Sequence, residues 1–141
     1  MKRLSFVCLL FASSLINAKT FGDIEGVVLR SVYDGDTFKV DIPSWPPIIS
    51  ENISVRIKGI DAPEIRGRCS LEKTRAFDSR NFLLKELERA KVIKLKNIER
   101  GKYFRIVSDV FVDNRNVAKL LIDNGYAVSY ANRHKLKILC K

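Results

Sequence analysis

The chain has 141 residues, enough for one domain with a buried core and too few for two. Its 26 Lys and Arg residues outnumber its 16 Asp and Glu residues to give a net charge of +10, which favours polyanionic partners such as nucleic acids, anionic lipids or acidic glycans. The single histidine, His134, lies in a basic tail, and there is no serine or cysteine nucleophile motif, zinc-ligand spacing or glycine-rich phosphate loop, so these chemistries are disfavoured.

Residues 1–18 have the composition of a secretory signal, with a positively charged start, a largely apolar stretch and a small residue, Ala18, suited to cleavage. We therefore expect a secreted or periplasmic protein whose functional domain is residues 19–141. Removal of the two basic residues in the signal leaves 24 basic against 16 acidic residues, a net charge of +8. The alternative is an N-terminal membrane anchor, but the apolar stretch is shorter than the roughly 20 residues that span a bilayer. We expect no stable membrane insertion after cleavage.

The first half of the domain is predicted to be β-structure. Residues 24–42 contain two stretches of β-branched and apolar side chains on either side of Asp34-Gly35, which predicts a hairpin. Residues 53–59 alternate between apolar and polar side chains, which predicts a third strand with Arg56 on the face opposite the apolar residues.

A proline-rich stretch separates the second and third of these strands. Three prolines between residues 43 and 52 predict a loop, because proline cannot donate a hydrogen bond to a sheet ladder. Trp45 in this loop is either a surface wedge for a partner or a lid on the barrel, and the sequence leaves both alternatives open.

A long helix is predicted next. Ser70 is a candidate N-cap for a helix that runs to about residue 90, with Phe77, Leu84 and Leu87 at helical spacing on its buried face.

The rest of the chain is predicted to form two strands, at residues 91–98 and 103–112, and a short helix that ends at Gly125. Arg105 falls on the face of its strand opposite Ile106. The order of three strands, a helix, two strands and a helix predicts an α+β, mainly β fold. It favours a five-stranded OB-fold Greek-key barrel with two or three packed helices over a parallel doubly wound sheet.

Cys69 and Cys140 are the two cysteines outside the predicted signal. An even number of cysteines in an exported domain predicts a disulfide that ties the tail to the body. The alternative is a pair of free thiols.

Carboxylates follow the ends of two predicted strands. If the fold brings Asp36 and Asp61 together, their hard oxygen ligands suit Ca²⁺ or Mg²⁺. The alternative is that Asp34 and Asp36 serve only the turn and that Asp61 only caps the loop before Pro63.

Glu64, Arg56 and Arg105 are the candidate catalytic residues. The fixed φ of the preceding proline limits how the loop leaves the strand, and would aim the Glu64 carboxylate at the same site to accept a proton from water. A guanidinium donates two parallel hydrogen bonds to phosphate oxygens and keeps its charge. Each of these residues alone has a plainer explanation, a solvated glutamate or a surface ion pair.

Three further residues are candidates for substrate binding. Lys102 and Tyr103 place a cation and an aromatic ring beside Arg105, a combination that holds phosphate and stacks on a base. Tyr130 is a second candidate for stacking. Half-buried packing is the alternative for both tyrosines.

Four motifs occur in order along the chain: Asp34-Gly-Asp-Thr37, Arg56 followed by Ile60-Asp-Ala-Pro-Glu64, Lys102-Tyr-Phe-Arg105 and Asn124-Gly-Tyr-Ala127. Together they resemble the thermonuclease, or staphylococcal nuclease-like, family over residues 24–130. The resemblance implies an OB-fold barrel with packed helices. It also implies a Ca²⁺-dependent phosphodiesterase that acts on DNA and RNA and leaves 3′-phosphate ends.

The resemblance also implies roles for individual residues. Asp36 and Asp61 match the metal carboxylates, Ala62 matches the residue that offers a backbone carbonyl to the metal, and Thr37 matches a neighbour of that site. Glu64 matches the proposed general base. The matches to the phosphate-binding residues are Arg56, Arg105, Lys102 and Tyr103.

Two departures from the family pattern bear on these roles. Phe104 replaces a glycine beside Arg105, so the backbone there is expected to differ and Arg105 to approach at another angle. The spacing from Gly125 to Tyr130 is one residue shorter, which weakens the match of Tyr130 to a substrate-binding tyrosine.

The function predicted from the sequence is an exported, monomeric, Ca²⁺-dependent nuclease that acts on single-stranded DNA and RNA. One alternative is a non-catalytic nucleic-acid-binding OB-fold barrel, since basic barrels serve binding as readily as cleavage. Binding alone would not need the acids. Another alternative is a basic exported protein that docks on anionic envelope polymers.

Overall fold

The structure is a computed structural model that describes residues 19–137 and 139–140. The predicted signal at residues 1–18 lies outside the described residues. Within the described residues, no helix is both long enough and apolar enough to cross a membrane.

Short strands and three helices make up the regular structure of the described residues. In chain order the strands are β1 (Ile24–Glu25), β2 (Val28–Val32), β3 (Thr37–Asp41), β4 (Ile53–Ile57), β5 (Ile60–Asp61), β6 (Ile93–Arg100), β7 (Ile106–Val112), β8 (Arg115–Asn116) and β9 (Val128–Ser129). The helices are α1 (Ser70–Arg89), α2 (Val117–Asp123) and α3 (His134–Lys137). The third helix is a single turn at the end of the chain.

The main sheet curls into the barrel that the sequence predicts. Strands β2, β3 and β4 follow one another antiparallel, β4 pairs parallel with β7, and β7 pairs antiparallel with β6. The first strand is interrupted at Gly26 (φ 74), so that its first part, β1, pairs with β6 while its second part, β2, pairs with β3. One segment thus joins both edges, and the result is the OB-fold Greek-key barrel with packed helices.

The core fills the inside of the barrel and the space under α1. Alternate residues of β4 point inward, and Val55 and Ile57 are fully buried while Arg56 points the other way, as predicted. Leu83 and Leu87 of α1 add the helix layer. This rigid base positions the loops that carry the acids.

The long helix starts where predicted, but its cap differs and one of the three residues predicted on its buried face, Phe77, is exposed. Cys69 occupies the N-cap position without a side-chain hydrogen bond, and Ser70 is the first helical residue, so the predicted Ser70 cap was wrong. Phe77 is 48% exposed, because the face that meets the barrel runs through Ala76, Leu83 and Leu87. The small Ala76 lets the helix backbone approach the sheet, and Phe77 one position later is turned toward solvent.

The predicted strand at residues 103–112 begins later than expected. Lys102–Phe104 form a single 3-10 turn, in which Tyr103 (φ 56) and Phe104 (φ 61) are left-handed, and β7 starts only at Ile106. Two successive left-handed residues turn the chain away from the extended conformation of a strand, which explains the delayed start.

Trp45 is a lid on the barrel. Its backbone N–H donates to the Ile42 carbonyl at 2.9 Å, and its half-buried side chain packs against the core. The surrounding proline-rich stretch is a loop with one 3-10 turn at Pro47–Ile49, as predicted.

Candidate active site

The turn between β2 and β3 holds Asp36 against the body of the protein. The backbone N–H of Asp36 donates to the Asp34 carboxylate at 3.1 Å, and the N–H groups of Tyr33 and Asp34 donate to the Thr37 carbonyl. A Cβ at Gly35 would lie 1.8 Å from Ser79 Oγ of α1, so only glycine lets the turn approach the helix this closely. Asp36 is consequently only 2% exposed.

The Asp36 carboxylate accepts three hydrogen bonds. Its Oδ1 accepts from Thr37 Oγ1 at 2.8 Å and from Arg56 Nη1 at 2.6 Å, and its Oδ2 accepts from the Ala62 backbone N–H at 3.0 Å. Asp36 thereby joins the ends of β3, β4 and β5.

Arg56 links the two predicted metal carboxylates. Its Nη2 donates to Asp61 Oδ1 at 2.7 Å and to the Ile60 carbonyl at 3.3 Å, while its Nη1 reaches Asp36. A guanidinium has five N–H donors. These contacts use three of them, and the other two have no partner among the described residues.

Glu64 shares a pocket with Asp61. Asp61, Ala62 and Glu64 line one wall of an open pocket of about 360 Å³, and the Glu64 carbonyl accepts from the Gly67 N–H to form the turn that follows Pro63. The predicted acids therefore converge as the sequence suggested.

Burial and mutual repulsion raise the pKa values of three acids in this site. Loss of hydration and the nearby Asp34 carboxylate raise the pKa of Asp36 to about 7, although Arg56 pulls it down. Burial also raises the pKa of Asp34. The pKa of Glu64 is raised by burial and then by Asp36 and Asp61. Burial lowers the pKa of Arg56, but the attraction of Asp36 and the hydrogen bond to Asp61 outweigh it and raise that pKa overall.

The residues present suit a divalent cation with oxygen ligands. Four carboxylates, from Asp34, Asp36, Asp61 and Glu64, surround one guanidinium, so the site carries more negative charge than Arg56 balances. Hard carboxylate oxygens are the ligands that Ca²⁺ prefers.

Cys69, Glu72 and Cys140 do not form a second metal site of this kind. They lie close enough together to hold an ion, but the two sulfurs are joined in a disulfide, which confirms the predicted pairing within the structure. No thiolate is then left to act as a ligand.

Arg105 directly precedes β7, the strand that pairs with β4. No hydrogen bond or ion pair connects it with Asp36, Asp61 or Glu64 within residues 19–137 and 139–140. It lines an apolar groove with Trp45 and Phe104, and its Nε is buried there without a hydrogen-bond partner in the described part of the chain. The resemblance led us to expect a different backbone at Phe104 and another angle of approach for Arg105. The left-handed turn at Phe104 leads directly into this groove.

Of the three candidate substrate-binding residues, Tyr130 is the one that the structure places beside the acids. Strand β9, which precedes it, pairs with β5 so that Asp61 lies opposite Val128, and the Tyr130 N–H donates to the Gly59 carbonyl at 2.9 Å. Lys102 and Tyr103 lie in the 3-10 turn before Arg105, and Tyr103 is 98% exposed.

One side of this pocket was not predicted from the sequence. Arg68, Glu72, Arg133, Leu136 and Lys137 line it. The signal was present, because a disulfide from Cys69 to Cys140 brings the basic tail beside a residue only five positions after Glu64.

A closed basic barrel with an arginine held between acids at its rim defines a class of proteins, the nuclease-type or nucleic-acid-binding OB folds. The family model of the staphylococcal nuclease homologues matches residues 54–138, which is more than half of the chain. The chain therefore belongs to the staphylococcal nuclease homologue family. No curated protein sequence matches it.

Proposed function

We propose that the protein is an exported, Ca²⁺-dependent endonuclease that hydrolyses single-stranded DNA and RNA and leaves 3′-phosphate ends. The observation that carries this proposal is the Arg56 guanidinium between the Asp36 and Asp61 carboxylates, together with the pocket that Asp61 and Glu64 line. Membership of the family supports a nucleic acid as the substrate.

Asp36, Asp61 and the Ala62 carbonyl would hold the cation in this proposal. When bound there, Ca²⁺ would supply Lewis-acid polarisation of the phosphate and lower the pKa of a bound water. The hydrogen bonds from Thr37 and the Ala62 N–H fix the Asp36 carboxylate, so that its oxygens are preorganised.

Arg56 would bind a phosphate oxygen with the N–H groups that the two carboxylates leave free. Since its guanidinium is fixed at both ends, it would meet the charge that develops on phosphorus without reorganising. Lys102 and Tyr103, both exposed, would hold the phosphate and base of an adjacent nucleotide.

Glu64 would accept the proton of the attacking water. A general base works best when its pKa lies near the working pH, and burial with two neighbouring acids raises the pKa of Glu64 in that direction. Its place on the pocket wall gives it access to solvent.

A second candidate function is a non-catalytic nucleic-acid-binding barrel. One observation favours it: of the two predicted catalytic arginines, only Arg56 forms hydrogen bonds with the acids among the described residues. The acids themselves favour the nuclease.

One assay separates these functions. The purified chain is incubated with single-stranded DNA and RNA in Ca²⁺ or in chelator, and the product ends are analysed. We expect cleavage that requires the cation, and a loss of about 10²-fold in rate for Asp61→Asn, because that change removes one carboxylate without changing shape. Asp123→Asn, an exposed partner of Lys119 on α2, is the matched control and should cleave like the wild type. Binding without cleavage in either condition would contradict the nuclease and leave the binding barrel.

A further inference from the structure

The pocket beside the acids has a second, basic wall that comes from the C-terminal end of the chain. Arg133 and Lys137 line it together with Arg68. They share a pocket of about 360 Å³ with Asp61 and Glu64. None of these three cations belongs to the motifs that predict the nuclease.

This basic segment, the described residues 130–137 and 139–140, is held at both of its ends. At its start, β9 pairs with β5, and the Tyr130 N–H donates to the Gly59 carbonyl at 2.9 Å. At its end, Cys140 is joined to Cys69, and Arg68 Nη2 donates to the Lys137 carbonyl at 2.8 Å. Both anchors lie on the stretch of chain that carries Asp61 and Glu64, so the two walls keep a fixed spacing.

Two cations on this wall have no anionic partner among the described residues. Neither Arg133 nor Lys137 forms an ion pair within residues 19–137 and 139–140, although three carboxylates line the same pocket. The Arg133 guanidinium lies 4.7 Å from the Tyr130 ring centre and donates to its hydroxyl at 2.7 Å. This stacking fixes the direction of the guanidinium and leaves most of its donors free.

From these contacts we infer that Arg133 and Lys137 form a second phosphate-binding subsite for a single-stranded nucleic acid. It binds a backbone phosphate next to the one that is cleaved. The inference rests on the proposed function.

The test compares two variants that each remove two positive charges. Arg133→Ala/Lys137→Ala empties the subsite, while Lys85→Ala/Arg89→Ala removes two exposed charges from α1 that do not line the pocket. For each we measure kcat and KM for single-stranded DNA in Ca²⁺. In chelator we measure the affinity for the same DNA as a function of salt. Thermal unfolding establishes that each variant is folded at the assay temperature.

We call Arg133→Ala/Lys137→Ala the tail variant and Lys85→Ala/Arg89→Ala the α1 variant. The tail variant should raise KM about tenfold with kcat nearly unchanged, the effect of removing one charge-assisted hydrogen bond to phosphate. A plot of log affinity against log salt has a negative slope. Its magnitude should decrease by about 0.7 for each phosphate that the variant no longer neutralises. The α1 variant should leave KM unchanged, and Arg133→Lys/Lys137→Arg should recover most of the affinity of the wild type.

Cys69→Ser/Cys140→Ser provides an independent arm, because it frees the segment without removing a charge. It should raise KM as the tail variant does. When the two sets of substitutions are combined, KM should rise little further than in the tail variant alone. Equal KM values for the tail and α1 variants, while the wild type cleaves, would overturn the subsite and leave the nuclease standing. If the wild type does not cleave, the proposed function fails, and equal DNA affinities of the two variants in chelator would then overturn the subsite as well.

Discussion

Arg56 sits between two carboxylates that would repel each other across the end of β4. Its contacts with Asp36 and Asp61 are 2.6 and 2.7 Å long, and its side chain is only partly exposed. The planar guanidinium reaches both acids at once, which an ammonium group cannot do.

Arg56→Lys should therefore lower the rate of hydrolysis by about 10²- to 10³-fold, the usual effect of losing one preorganised charge partner. The thermal midpoint should also fall, because a buried carboxylate loses a partner. Arg30→Lys is the matched control, since Arg30 is bonded to Asp41 on the exposed face of β2 and β3. Steady-state kinetics and thermal unfolding of both variants check this, and wild-type rates for Arg56→Lys would contradict the role of the guanidinium.

Asp36 should make the metal-free protein less stable as the pH rises. Its pKa is about 7 in the folded protein against an ordinary value of 3.8, so between these values the folded state keeps a proton that the unfolded state releases. The free energy of unfolding should then decrease from about pH 4 to about pH 7. Asp34 and Glu64, whose pKa values are also raised, act in the same direction.

Urea denaturation in chelator at several pH values measures this dependence. Asp36→Asn should flatten it, because the amide does not titrate, whereas Asp123→Asn should keep it. Identical slopes in the wild type and Asp36→Asn would show that Asp36 is ionised in the folded protein.

At the scale of single residues, the sequence predicted more of the acid cluster than of the arginines. Strand alternation and turn chemistry placed Arg56, Asp36 and Asp61 correctly. The position of Arg105 depends on the left-handed turn at Tyr103 and Phe104, which no local pattern predicts, since both residues rarely adopt that conformation.

At the scale of elements, the contact between the turn that carries Asp36 and helix α1 is the closest in the site. Gly35 permits it, with Ser79 Oγ on one side and the Ala62 Cβ 2.8 Å from the position of a Gly35 Cβ. The helix therefore supports the acids although it contributes none of them.

Gly35→Ala should push this turn off the helix. We expect a loss of about 1–3 kcal/mol in stability, the usual cost of overpacking, and weaker cation binding because Asp36 moves with the turn. Calorimetric titration with Ca²⁺ and thermal unfolding measure both effects. Gly35→Ala/Ser79→Ala should recover part of the loss, since it removes the nearest atom but leaves the Ala62 contact. Unchanged stability and cation affinity in Gly35→Ala would show that the turn tolerates a larger separation from α1.

The elements themselves were largely predictable, and their boundaries and faces less so. Alternation and turn residues predicted the five longer strands, β2, β3, β4, β6 and β7, and the hairpin turn at Asp34-Gly35. The predicted burial of Phe77 on α1 was wrong, whereas Leu84 and Leu87 pack in the core as predicted. A small residue, Ala76, sets the approach of the helix, and apolar spacing alone does not reveal it.

At the scale of the whole molecule, the disulfide is the one covalent link between the tail and the barrel. It closes a loop with a sequence separation of 71 residues. A loop of that length corresponds to about 4 kcal/mol of stability in the chain-entropy treatment.

Cys69→Ser/Cys140→Ser should lower the free energy of unfolding by roughly that amount, about 4 kcal/mol. Urea denaturation measures it, and a reducing agent should destabilise the wild type to the same level while leaving the double variant unchanged. Labelling of Cys69 and Cys140 by a thiol reagent in the unreduced, unfolded protein would contradict the link.

The overall architecture followed from the order of elements, because few folds accommodate three strands, a helix, two strands and a helix. The basic wall of the pocket did not follow from it. That wall arises when a disulfide brings the C-terminal end of the domain to its middle, a long-range consequence that local patterns do not carry.

The interrupted first strand has a consequence for how the protein is made. Its β1 part pairs with β6. In this pair Ile24 lies opposite Leu95, which is synthesised 71 residues later. At about 5–20 residues per second, translation leaves this strand without its partner for roughly 4–14 s. During that interval the nascent polypeptide has an open sheet edge. A chaperone that binds this edge has to act before the barrel closes.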